Sequence, residues 1–238
     1  MSYWSPQSVF LGRVAPGVSL RALALACWLL TDGGTAGLVF AEDLSWDVLD
    51  EGISMALWEP RGLCDDVPPL VLIRIDSDRF RFATQYYRAE SLPGPLTINE
   101  WQKRTGAVFL FNSGQFRENY SYLGLLFQNG RSVGSKRHPN WQGLFVAEPV
   151  VSGLRNARVV DLSSEPFPEQ PVAYLQVAQS LMLLDAQGKP RVRRSGKQAY
   201  QTVVGEDRDG HILVIKSTDV VPLWELAMCL HEGVPTLH

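Results

Sequence analysis

The sequence predicts an α+β fold: a single domain of mixed, largely antiparallel sheet with hairpins and a few packed helices, after an N-terminal signal segment. Three observations carry this. Asn129-Gly130 and Asp209-Gly210, the strongest hairpin dipeptides, each separate two apolar runs. "TINEWQKRTG", residues 97–106, has both ends of a short helix written into it, with Thr97 and Glu100 as a capping box and Gly106 as the stop. Between residues 79 and 82, arginine and phenylalanine alternate as a half-buried strand requires.

The first forty residues stand apart. Arg13 and Arg21 are the only charges before Asp32, and they lead into "ALALACWLL", an apolar run too short to cross a bilayer as a helix. Small residues then offer cleavage after Ala36 or Ala41, completing the layout of a secretory signal. The expected organisation is a signal over residues 1–41 and one domain over 42–238, with the protein periplasmic or extracellular. Cys27 leaves with the leader, so Cys64 and Cys229 remain as an even pair able to join as a disulfide in an oxidising compartment.

Along the domain, Ile53 to Trp58 reads as an edge strand and Leu70 to Ile75 as a central one. Ala107 to Phe111 has the length and content of a fully buried strand, running into the turn residues Asn112-Ser113-Gly114. "YLGLLFQNGRSVG" and "AYQTVVGEDRDGHILVIKS" are hairpins, and "GLFVAEPVV" is a strand. "PVAYLQVAQ" reads as helical at first, with Val172, Leu175, Val177 and Ala178 apolar. "PLWELAMCLHEG" is an amphipathic helix from near Pro222 to Gly233. That gives three or four short helices among many strands, with no internal repeat.

Composition excludes several functions. Hydrophobic residues make up 45% and charged residues 20% of 238, and the net charge of -3 carries no footprint for nucleic acid. The densest basic stretch, "KPRVRRSGK" at residues 189–197, reads as a solvated loop, with a local anion contact as its functional alternative. The four histidines and the cysteines lack metal-ligand spacing, and no GxxxxGK[ST], GxGxxG or GxSxG sequence occurs. No metal, no cofactor and no membrane span after signal removal are expected.

The order of motifs is more specific than any one of them. "EWQKRTGAVFLFNSGQF", the "YLGLLFQNG" hairpin, "QVAQSLMLL", "YQTVVGEDRDGHILVI" and "LWELAMCL" together resemble the phosphodiester glycosidase family, which includes the uncovering enzyme and exported, exopolysaccharide-associated bacterial proteins. The likeness runs from Trp46 to the C-terminus. It implies that Asn112, Gly114 and Phe116 form the floor of a cleft, with Asn112 offering amide donors and Gly114 letting the backbone approach a ligand. Ser113 and Gln115 depart from the family's small residue and second aromatic. Gln179 and Ser180 match a segment that approaches the cleft. Thr202, Gly205 and Asp207 match another, in which Gln201 replaces an arginine. Glutamine offers only neutral hydrogen bonds where arginine would clamp phosphate.

The implied activity is hydrolysis of a glycosyl-phosphodiester, with Asp207 as the candidate catalytic carboxylate and Asn112, Ser180 and Thr202 as hydrogen-bonding groups. The alternative is a non-catalytic carbohydrate- or phosphoglycan-binding protein, the reading that Gln201 favours. In the resembling family the last helix leads into a buried strand ending in Asp-Gly-Gly, which bears an acidic residue. The sequence ends at His238 without it, so the resemblance implies a truncated or degenerate member with impaired catalysis.

Overall fold

The computed structural model describes residues 9–14, 44–168 and 173–234. The apolar run of residues 22–30, both expected cleavage points and the residues after Val234 lie outside the described residues.

Ten of the strands form two five-stranded antiparallel sheets whose facing residues share one core. The first contains β2 (Asp47–Asp50), β3 (Ile53–Trp58), β4 (Leu70–Ile75), β13 (Thr202–Glu206) and β14 (Ile212–Ser217), in the order β13-β14-β4-β3-β2. The second contains β7 (Leu126–Gln128), β8 (Arg131–Ser132), β9 (Gly143–Pro149), β10 (Ala157–Asp161) and β11 (Tyr174–Ser180), in the order β10-β9-β11-β7-β8. Tight turns make this topology cheap. Asn129 and Gly130 adopt φ of 51° and 76°, and Gly210 adopts 86°, the left-handed values that hairpin turns demand. Leu70–Ile75 is the central strand its apolar run predicts, between β14 and β3. The strand at Ile53–Trp58 is not an edge: β2, exposed throughout, pairs outside it.

A third sheet has the order β5-β1-β6, with β1 at Val9–Val14, β5 at Phe80–Gln85 and β6 at Phe109–Asn112. Phe80, Phe82 and Thr84 point inward while Arg81 is exposed, the alternation the sequence predicts. β6 is only partly buried, with Phe111 its one fully buried residue, because it lies at the margin of this sheet. β1 pairs with β5 along its whole length and with β6 from Val9↔Asn112 to Gly12↔Phe109. It therefore joins the strand bearing Asn112 to the rest of the fold, although it falls inside the segment read as a leader. The two-stranded ribbon β12 (Gln198–Ala199) and β15 (Val221–Pro222) completes the sheets.

Two helices occur among the described residues, fewer than expected. α1 (Ile98–Thr105) has the full capping box between Thr97 and Glu100 and a left-handed Gly106 at its end. α2 (Leu223–Gly233) covers the outer face of the first sheet, and the Cys64–Cys229 disulfide staples it to the loop after β3, with Cα atoms 5.7 Å apart. The helix read at "PVAYLQVAQ" is instead strand β11. This strand lies between β9 and β7 with both faces covered, so its apolar residues follow no clean period of two. The main core, built around Ile73, Phe82, Phe111, Phe145 and Val214, fills the space between the sheets. Among the described residues no helix is long and apolar enough to cross a membrane.

Candidate functional site

One cavity of about 610 Å³ opens where β6, β11 and β13 end or begin beside α2. It receives Asn112, Gly114 and Phe116 from the first segment that the sequence singles out, and Ser180 from the second. The third contributes Gln201, Thr202 and Gly205. Residues almost a hundred positions apart thus share one concave surface, the arrangement a small-ligand site requires.

Their local roles differ. Asn112 closes its own turn, its Oδ1 accepting from the Gly114 backbone N–H at 3.3 Å, and it also faces the cavity. The turn reading and the site reading of this residue therefore hold together geometrically. Gly114 lines the cavity and also serves packing. A Cβ there would fall on the Tyr122 hydroxyl and 2.7 Å from its Cζ, so the glycine makes room for a fully buried ring. Tyr122 packs edge-on against Phe116 and donates to the Gln179 carbonyl at 2.8 Å, and burial pushes its hydroxyl pKa up.

Gln179 does not face the cavity. It has no exposed surface, and its amide pins the segment before β9. Oε1 accepts from Leu125 and His138 N–H, at 3.0 and 2.8 Å. Nε2 donates to the His138 and Trp141 carbonyls, at 2.9 and 2.7 Å. Gln201 is tied too: its N–H donates to Ser217 Oγ and its Nε2 to the Val221 carbonyl.

Asp207 is not among the cavity residues. It begins the Asp-Gly turn, its backbone bonded to His211 and Gly210, and its carboxylate accepts from Arg74 Nε and from the His211 N–H. Burial raises the pKa of this carboxyl, but the His211 and Arg74 hydrogen bonds and the Arg74 charge outweigh that and hold it below its usual value. A carboxylate clamped by arginine and held below its usual pKa suits turn stability better than proton transfer. Asp209 and His211 lie beside it, their donor atoms and those of Asp207 all within 4.8 Å, a grouping that sequence spacing hid. Arg74 bridges Asp207 and Asp209 and offsets one of their two negative charges.

The charged side chains that do line the cavity are Arg158, Asp161, Glu165, Asp185 and Glu206, none of them singled out from sequence. Each is already engaged. Arg158 binds Glu165 with both terminal nitrogens, at 3.2 and 2.6 Å. Glu206 takes Arg155 and the Val159 N–H. Asp161 caps the turn at Ser163, and Asp185 holds the Gln187 and Lys189 N–H groups. Of the basic loop after it, Arg191 pairs with Asp185 and Arg194 with Glu225. Neutral groups remain for a ligand. Among the described residues no partner takes the Asn112 amide nitrogen or the Ser180 and Thr202 hydroxyls, and they stand near the apolar or aromatic surfaces of Phe116, Leu181 and Tyr200.

Neither a protein-family model nor a curated protein sequence matches this chain. The chemistry of the cavity walls is therefore the ground for a functional reading.

Proposed function

We propose that the cavity binds a carbohydrate through neutral hydrogen bonds, and that the protein acts as a glycan-binding protein of the cell envelope or its surroundings. One observation carries this reading: among the described residues, every charged side chain lining the cavity is neutralised or hydrogen-bonded by the protein itself, leaving amide and hydroxyl groups in the wall. A phosphate would need a cation free to meet it, and Arg158, the cation in the wall, is committed bidentately to Glu165. The Cys64–Cys229 disulfide is in keeping with export to an oxidising compartment.

Hydrolysis of a glycosyl-phosphodiester, the activity implied by the resemblance, is the second reading. The Glu165 and Glu206 carboxylates in the wall favour it, since glycosidic cleavage uses paired carboxylates. Two assays on the purified protein separate the readings. Calorimetry with neutral glycosides should show binding, and a chromogenic sugar-1-phosphodiester should not turn over. Turnover abolished by Glu206→Gln would overturn the binding-only reading.

A further inference from the structure

We propose that Tyr200 is the platform on which a pyranose ring stacks at the mouth of the cavity, with Lys216 bracing the opposite face of the tyrosine ring. The inference rests on the carbohydrate reading and assigns it a specific contact. Tyr200 lines the cavity yet leaves 61% of its surface exposed, more than Tyr120, the other exposed aromatic among the described residues.

The backbone on either side is fixed. β12 ends at Ala199, paired with Val221, and Gln201 exchanges hydrogen bonds with Ser217, its N–H donating to Oγ at 2.9 Å and its carbonyl accepting the Ser217 N–H at 3.1 Å. An exposed ring on a pinned backbone loses little further freedom when a ligand arrives, which is the property of a preorganised contact. Lys216 stands across from Thr202 in the β13–β14 register, and its ammonium lies 5.1 Å from the Tyr200 ring centre. This cation–π contact occupies one face and sets the tilt of the ring.

A ligand in the cavity meets the other face, beside the Thr202 hydroxyl. The negative face of an aromatic ring attracts the weakly positive axial C–H bonds of a sugar, while the sugar's equatorial hydroxyls reach the neutral groups of the wall. The predicted ligand class is therefore a neutral pyranoside with at least one face rich in axial C–H groups.

The test uses the methyl glycosides of glucose, galactose and N-acetylglucosamine with the full chain, read by proton NMR and calorimetry. At least one should bind, with its axial ring protons shifted upfield by the ring current of Tyr200. Tyr200→Ala should lose about tenfold in affinity and the upfield shifts together, since a stacking contact of about 1.4 kcal/mol corresponds to that factor. Tyr200→Trp should keep both. Asn112→Ala should weaken binding while leaving the ring-current shifts of the residual complex, which separates loss of a hydrogen bond from loss of the platform. If the unaltered protein binds none of the three sugars, the carbohydrate reading falls and this inference with it. If it binds them and Tyr200→Ala binds equally well with the same proton shifts, the platform alone is refuted.

Discussion

Replacing Gln179 by leucine should destabilise the protein by several kcal/mol, about 4. Leucine has nearly the volume of glutamine, so the apolar packing survives and the loss is one of hydrogen bonds. Four are removed: the acceptor for Leu125 and His138 N–H, and the donor to the His138 and Trp141 carbonyls. The His138 carbonyl keeps a second, longer partner in the Trp141 N–H at 3.4 Å, so three groups lose their partners outright. At roughly 1 to 3 kcal/mol for each unsatisfied buried group the total is about 3 to 9 kcal/mol. The segment around His138 is half-exposed and can reach water, which favours the lower part of that range, about 4 kcal/mol. Urea unfolding followed by tryptophan fluorescence measures this directly, and hydrogen exchange should show the backbone N–H groups of Leu125 and His138 losing protection first. A second variant sharpens the reasoning. Gly124 has φ of 90°, and a Cβ there would meet Gln179 Oε1 at 2.7 Å, so Gly124→Ala should cost less in the Gln179→Leu background than alone. A loss below about 1 kcal/mol for Gln179→Leu, with unchanged exchange at Leu125 and His138, would refute the account of this amide as the anchor of the segment.

Gly114→Ala should lower the melting temperature by several degrees because its Cβ meets the Tyr122 ring, and the drop should be smaller in a Tyr122→Phe background, where the hydroxyl is gone; equal drops in the two backgrounds would contradict this. The Asp207 carboxyl is held below the ordinary aspartate value of about 3.9, so its contribution is complete above that pH and disappears as pH falls through the lower folded value; Asp207→Asn should flatten the acid loss of stability below about pH 4, and parallel pH profiles would disprove the link. The Cys64–Cys229 bond spans 165 residues, so its removal should cost up to about 5 kcal/mol in the chain-entropy model, and reaction of the Cys64 and Cys229 thiols with a maleimide in the denatured, unreduced protein would rule the bond out. Export with cleavage after Ala36 or Ala41 predicts a mature chain beginning at Gly37 or Glu42, checked by intact mass. Such a chain would lack β1 and leave the strand bearing Asn112 without its described neighbour, whereas recovery of a chain beginning at Met1 would contradict the cleavage and retain that pairing.

Local chemistry was legible in the sequence wherever one short segment settles its own conformation. The α1 cap at Thr97 and Glu100, the stop at Gly106 and the turns at Asn129-Gly130 and Asp209-Gly210 each depend on residues within a few positions of one another. The same holds for α2, whose apolar face repeats with the helical period. The convergence of Asn112, Ser180 and Thr202 was visible only as three separate segments, through resemblance rather than through spacing.

Whatever depends on what a residue faces across the fold waited for the tertiary structure. β11 reads as a helix because burial on both faces, supplied by β9 and β7 and the cores against them, erases the alternation that marks a strand. Asp207 and Glu206 are adjacent, yet Glu206 turns into the cavity wall against Arg155, while Asp207 is taken by the turn and by Arg74, a residue on another strand. The turn that follows β13 accounts for Asp207, but nothing in the order of the chain shows what Glu206 faces. Asp207 is held by its own turn, through the His211 N–H, and by Arg74 two strands away in the same sheet, whereas Glu206 meets Arg155 and the Val159 N–H at the second sheet, and that pairing across the fold places it in the cavity wall.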